Sequence, residues 1–203
     1  EENGVNTAKY RKVSNLDELK MALKQLSMPT IVKAIDLQGS RGIFIVKNED
    51  EAVKGFKQAM EATEEDFCVI EEFIEGEEFG AQAFIYRGEI IFVLPHGDNT
   101  YMYNTAIPIG HYAPLTFSED ILKKTKEQVA LAIKAIGLDN CAINVDLILK
   151  DNQVYVIELT GRAGATCLPE LVSIYYGIDY YKMIVLMAMG EDPRNEFNKK
   201  NKI

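Results

Sequence analysis

The sequence predicts an α+β fold in two lobes. Short β-branched runs bounded by turn residues alternate with amphipathic helical stretches, and the strand pairs late in the chain are joined by tight turns. An acidic segment near residues 73–77 interrupts this pattern once, so the expected division is a small lobe over 1–73 and a larger one over 74–203. No internal repeat and no low-complexity tract argues for another architecture.

Asn15 can cap a helix whose apolar residues recur through Leu26, and Pro29 ends it. The run 30–35 reads as a buried strand carrying one lysine, Lys33, and 43–46 as a second strand after the loop 39–42. A helix over about 49–62 and a strand over 67–72 complete the small lobe. From Glu78 onward, the alternation at Phe79, Ala81 and Ala83, the turn Arg87-Gly88 and the run 90–94 predict a hairpin. Residues 95–114 read as an irregular stretch, long for a loop, where a functional segment would sit. A long helix follows over about 118–136, then strands at 141–149 and 154–159, then a helical stretch 168–189 broken at Gly177.

With 203 residues, 47% of them apolar, the chain can bury one good core or two small ones. Its longest apolar run, Met183 to Met189, is far short of the ~20 residues that span a bilayer, and no charged-then-apolar leader opens it; the expectation is a cytoplasmic protein without a membrane partner. A net charge of −9 argues against nucleic acid as partner, because that binding leans on clustered Lys and Arg. Cys68, Cys141 and Cys167 lie far apart with no CxxC pair, which predicts reduced thiols and neither a disulfide framework nor zinc. The chain starts at Glu1 within a polar lead-in, which suggests part of a longer polypeptide.

Four features carry chemistry. Lys33 in an apolar strand calls for a phosphate or carboxylate partner, or else for an edge position where its amine reaches water. Gly39, Ser40, Arg41 and Gly42 can bring bare amides and charge to a phosphate, or form an ordinary strand connection; the order excludes a P-loop and a protein kinase. The run from Val69 to Glu78 suits a hinge whose backbone meets a nucleobase, or a solvated acidic turn. Asp146 and Glu158 on adjacent strands suit a hard cation such as Mg²⁺, with Arg162 just beyond them placed to stabilise a phosphoryl group; outward-facing strand acids are the alternative. For His96 a loop cap is the expected role, with Asp98 nearby.

A strand lysine, a glycine loop, an acidic hinge and a late acid strand, in that order over roughly residues 10 to 190, resemble the ATP-grasp superfamily. The likeness is greatest to the ATP-binding domains of carbamoyl-phosphate synthase large subunits and L-amino-acid ligases. It implies an ATP-grasp fold with the nucleotide between two lobes, lacking the α/β domain that precedes it in complete enzymes. By position, Lys33 would touch the ATP phosphates, and Gly39, Ser40, Arg41 and Gly42 would close over them. Glu71, Glu72 and the backbone of Phe73 and Ile74 would hold adenine, Glu78 the ribose, and Asp146 and Glu158 one or two Mg²⁺ ions. Arg162 would steady the transferring group, and His111, in a segment resembling the GHxxP run of amino-acid ligases, would line the reacting end. Thr160 stands where the family usually has asparagine. The implied activity is a Mg·ATP-dependent ligase joining a small carboxylate to an amine through an acylphosphate. Bicarbonate activation, or nucleotide binding without catalysis, are the alternatives.

Overall fold

The computed structural model describes residues 2–37, 41–100 and 108–198. The chain forms two compact units, 8–75 and a second made of 2–7 with 76–198. The opening residues thus join the larger unit instead of the smaller one. Asn6 ties them there: its amide donates to Gln128 Oε1 at 2.7 Å, its Nδ2 to the Val154 carbonyl at 3.1 Å, and its own carbonyl accepts from the Val156 amide at 2.8 Å.

The smaller unit is an antiparallel sheet of β1 (Tyr10–Val13), β2 (Thr30–Lys33), β3 (Ile43–Val46) and β4 (Cys68–Glu72), in the order β1-β4-β2-β3. Helices α1 (Leu16–Leu23) and α2 (Glu49–Ala62) pack on one face of it. Val13, Val32, Val46, Cys68 and Ile70 bury against Leu19, Ala22, Ala52, Phe56 and Ala59. Both helices start on an asparagine: Asn15 accepts from the Glu18 amide and Asn48 from the Glu51 amide, while Glu18 and Glu51 reach back to the amides of Ser14 and Lys47. β1 was hidden in the sequence because only Val13 of its four residues is buried; as an edge strand it pairs with β4 alone. β2 ends at Lys33, short of the expected Ile35, and Ala34 adds one further bond in the same register, donating to the Gly42 carbonyl at 2.9 Å.

The larger unit is a five-stranded antiparallel sheet, β7-β6-β5-β8-β9. Its strands are β5 (Glu77–Tyr86), β6 (Glu89–Thr100), β7 (Pro108–Tyr112), β8 (Cys141–Lys150) and β9 (Gln153–Thr160). Of the stretch 95–114 expected to be irregular, residues 95–100 continue β6 and 108–112 form β7, while 101–107 lie outside the described residues. Pro95 is tolerated because it pairs with Ala81 where β7 has not begun to pair, so its missing N–H costs no ladder bond on that side. Helix α3 (Glu119–Ile136), opened by Ser118 and closed by Gly137 at φ 70°, covers one sheet face. That face buries Phe79, Ala81, Ala83, Ile143, Val145, Leu147 and Val156 with Val129 and Ile133.

The other face changes character along its length. At one end Phe84, Tyr86, Phe92, Leu94 and Ala142 pack with Val172, Tyr180 and Met183 of α4 (Leu168–Tyr176) and α5 (Tyr180–Ala188). A short α6 (Arg194–Asn198) closes the described chain. At the other end the same alternation presents Gly80, Gln82, His96, Asp98, Asn144 and Asp146. No helix among the described residues is long and apolar enough to cross a membrane.

Candidate active site

In the smaller unit, Lys33 and Glu71 are diagonal neighbours across β2 and β4, and the Lys33 Nζ lies 2.6 Å from Glu71 Oε2. Their side chains are 19% and 22% exposed, so the lysine is neither buried alone nor loose in water. Strand alternation sends Glu72 to the opposite face, where it accepts from the Ser27 amide at 2.9 Å. The Phe73 amide is spent on the Pro29 carbonyl at 3.0 Å. Of the residues expected around one base, Glu71 shares the Lys33 face, whereas Glu72 and the Phe73 N–H have the partners just named. Gly42 has φ 69°, and a Cβ on it would stand 2.7 Å from the Ala34 Cβ, so only glycine fits. Arg41 beside it is exposed, and Gly39 and Ser40 lie outside the described residues.

In the larger unit, Asp146 of β8 stands opposite Glu158 of β9. In β9 a regular alternation would put Glu158 on the same face as Val156, which belongs to the core. A bulge prevents this: Leu147 pairs with Val156 and Asp146 with Glu158, leaving Ile157 as the extra residue that turns Glu158 onto the Asp146 face. Burial by the surrounding sheet, and then the negative charge of Glu158, push the Asp146 carboxyl above its ordinary range, although water still reaches the side chain. Two carboxylates held in this opposition fit a hard divalent cation, which would relieve their repulsion. Glu78, exposed at the start of β5, lies on this same face.

Around the acids runs a polar network that the sequence reading largely missed. Gln82, fully buried, donates to Asn144 Oδ1 at 2.5 Å and accepts from the Gly164 amide at 2.9 Å. Asn144, opposite Thr160, donates to Asp146 Oδ1 at 3.3 Å. A Cβ on Gly164 would come within 2.8 Å of both amide side chains, so the loop after β9 docks on the sheet because it has no side chain there. The available signal was the polar residues Gln82 and Asn144 inside otherwise apolar strands.

His96 is 2% exposed and sits within β6, which overturns the expectation of a loop cap. Its ring occupies the space above Gly80, with Cε1 2.3 Å and Nε2 2.5 Å from where a Gly80 Cβ would be. Asp98 Oδ1 lies 3.0 Å from His96 Nδ1 and 2.6 Å from His111 Nδ1. His111 Nε2 lies 2.6 Å from Thr166 Oγ1. By residue type the two histidines and the aspartate could hold a metal. However, ligands on one tetrahedral zinc stand about 3.3 Å apart by ordinary bond lengths, and 2.6 Å is a hydrogen-bond separation. Arg162 is exposed, its Nη1 donating to the Ala163 carbonyl at 2.9 Å. The larger unit thus gathers Asp146, Glu158 and Glu78 on one face and links His111 to that sheet; the smaller unit gathers Lys33 and Glu71.

The chain matches the family model of the phosphoribosylglycinamide synthetase ATP-grasp (A) domain over residues 1–166. It is 58% identical to a solved phosphoribosylglycinamide synthetase from Anaerococcus prevotii, with a TM-score of 0.80 over 99% of this chain and 50% of that one. It is 24% identical to an alanine–anticapsin ligase of Bacillus subtilis, over 93% of this chain and 45% of that protein. A biotin carboxylase domain from Hydrogenobacter thermophilus, solved with MgADP, ADP and bicarbonate, shares the fold at 22% identity and a TM-score of 0.79, over 94% of this chain and 43% of that one. The chain spans about half the length of the relatives it matches. On its fold and on the match over most of its length, the chain belongs to the phosphoribosylglycinamide synthetase ATP-grasp domain family.

Proposed function

We propose that this chain is the ATP-binding part of a Mg·ATP-dependent ligase that activates a small-molecule carboxylate as an acylphosphate and passes it to an amine-type nucleophile in the cytoplasm. The observation that carries this reading is the opposed pair Asp146 and Glu158, turned to one face by the β9 bulge. Membership of the ATP-grasp family supplies the chemistry such a pair serves.

The roles follow from charge and donor type. Lys33, held by Glu71, offers an ammonium to phosphate oxygens, and the amides around Arg41 and Gly42 add donors to the same group. Phe73, Ile74 and Glu71 receive the base at the end of β4, with Phe73 contributing through its carbonyl, and Glu78 receives the ribose hydroxyls. Asp146 and Glu158 would hold Mg²⁺, which would supply positive charge to offset that on the γ-phosphoryl group as it moves to the carboxylate oxygen. Arg162 neutralises charge on the group in transfer, and His111 faces the reacting end. Phosphate then leaves as the nucleophile attacks the acyl carbon, forming an amide-type bond. The names of the relatives point to an amino acid as one reactant, glycine or alanine being the first to try.

The test is nucleotide binding by the full-length protein with and without Mg²⁺, in wild type and Glu158→Ala. The variant is expected to lose at least about tenfold of the Mg²⁺-dependent affinity, the worth of one charge-assisted contact. Unchanged Mg²⁺-dependent binding would remove the metal assignment and the ligase reading with it.

A further inference from the structure

The ligase reading gives His111 a place at the reacting end but leaves unused the rest of the run of side chains that joins the sheet to the Arg162 loop. Thr166 Oγ1, His111 and Asp98 are linked at 2.6 Å each, and His96 reaches the same Asp98 oxygen at 3.0 Å. Burial pushes the Asp98 carboxyl up, but the hydrogen bonds from His96 and His111 hold it below the ordinary range, so at pH 8 it is a carboxylate. A carboxylate has no proton to give, so both bonds are drawn from Nδ1–H groups. Neutral His111 then keeps its lone pair at Nε2, and the Thr166 hydroxyl must donate to it.

Both ends of this run are fixed by the backbone. At the sheet end the His96 ring fills the side-chain space of Gly80 and leaves its own Nε2 buried with no partner among the described residues, a cost that packing alone does not require. At the loop end Thr166 and Cys167 take φ of 52° and 65° in succession. A β-branched residue there is strained, and the strain persists only where neighbouring contacts hold it. The Thr166 bond to His111 and the Gly164 bond to Gln82 are those contacts.

We propose that Asp98 is a positioning residue: by holding both imidazoles through Nδ1–H it sets the His111 tautomer, and His111, through Thr166, anchors the loop carrying Arg162 to the acid-bearing face of the sheet. Only the kinetic arm of the test rests on the ligase reading.

The direct readout is the ¹⁵N imidazole spectrum of the full-length protein at pH 8. In wild type His111 should carry its proton on Nδ1, and Asp98→Asn should move it to Nε2 or to a mixture. Asp98→Asn should also lower turnover about 10²-fold, the cost of a displaced catalytic group, with Mg·ATP affinity held within about threefold. Thr166→Val should leave the His111 tautomer in place and speed tryptic cleavage after Arg162 several-fold, which keeps the test decisive if Asp98→Asn folds poorly. A wild-type His111 protonated on Nε2, or a Thr166→Val protein cleaved at the wild-type rate, overturns the proposal. A wild type that shows the Nδ1–H tautomer but binds no ATP sinks the ligase reading and leaves the anchor standing.

Discussion

The two units keep their candidate site residues in different relations to their cores. In the smaller unit the helices take one sheet face and Lys33 and Glu71 sit on the other, so the core is apolar apart from Thr30. In the larger unit Gln82 and His96 are fully or almost fully buried within the sheet that also carries Asp146. A site attached to a core can be altered without unfolding it, because each lost contact is replaced by water. A site built into a core has no such substitute: a buried polar group that loses its partner bears the whole desolvation penalty. The difference predicts that equal chemical insults will register as stability in one unit and as binding in the other.

The largest effect is expected where the larger unit has least room. Gly80→Val adds a Cβ 2.3 Å from His96 Cε1 and 2.5 Å from Nε2, and the ring cannot swing away without breaking its bond to Asp98. A loss of about 3 kcal/mol in urea unfolding is expected, from overpacking plus the broken bond. Gln82→Leu is nearly isosteric, so it tests partners instead of volume. It strands the Gly164 N–H and Asn144 Oδ1, which predicts a loss of about 2 kcal/mol at unchanged m-value. A cost near zero for Gln82→Leu would mean that water enters the network, and the contrast between the units would fade.

The same contrast explains what was legible in the sequence. The smaller unit obeys local rules: β-branched strands, Asn caps and a lysine alone among apolar neighbours, and its elements fall close to where periodicity puts them. Its hidden piece, β1, is an edge strand with one buried residue, and such a strand has no alternation to read. In the larger unit the acids were visible as residue types, but the reason they meet was not. Alternation through Val154, Val156 and Glu158 points the acid into the core, and only the bulge at Ile157, which depends on the register of β8, turns it out. Gln82, Asn144 and Thr166 were missed, and the role of Asp98 beside His96 was not legible, for a related cause: Gln82 acts through partners 62 and 82 positions away, Asp98 through one 13 away and Thr166 through one 55 away, and periodicity carries no such information. The Pro95 segment shows the converse, where a strong local signal for a break is overridden by pairing with β5.

The smallest stability effect sharpens the comparison most. Lys33→Met keeps the length of the side chain and removes its charge, leaving Glu71 unpaired. Because both side chains are about a fifth exposed, water can take over the Glu71 carboxylate, and an ion pair in that setting is worth less than about 1 kcal/mol. Urea unfolding should therefore show a shift near the limit of detection, while Mg·ATP affinity, on the ligase reading, should fall at least about tenfold through loss of one phosphate contact. The ratio of these two losses is the quantity of interest. If Lys33→Met instead cost as much stability as Gln82→Leu, the Lys33–Glu71 pair would belong to the framework of its sheet just as Gln82 does in the larger unit. The smaller unit would then hold its site the same way, and Lys33 would be a structural cation instead of one available to a phosphate.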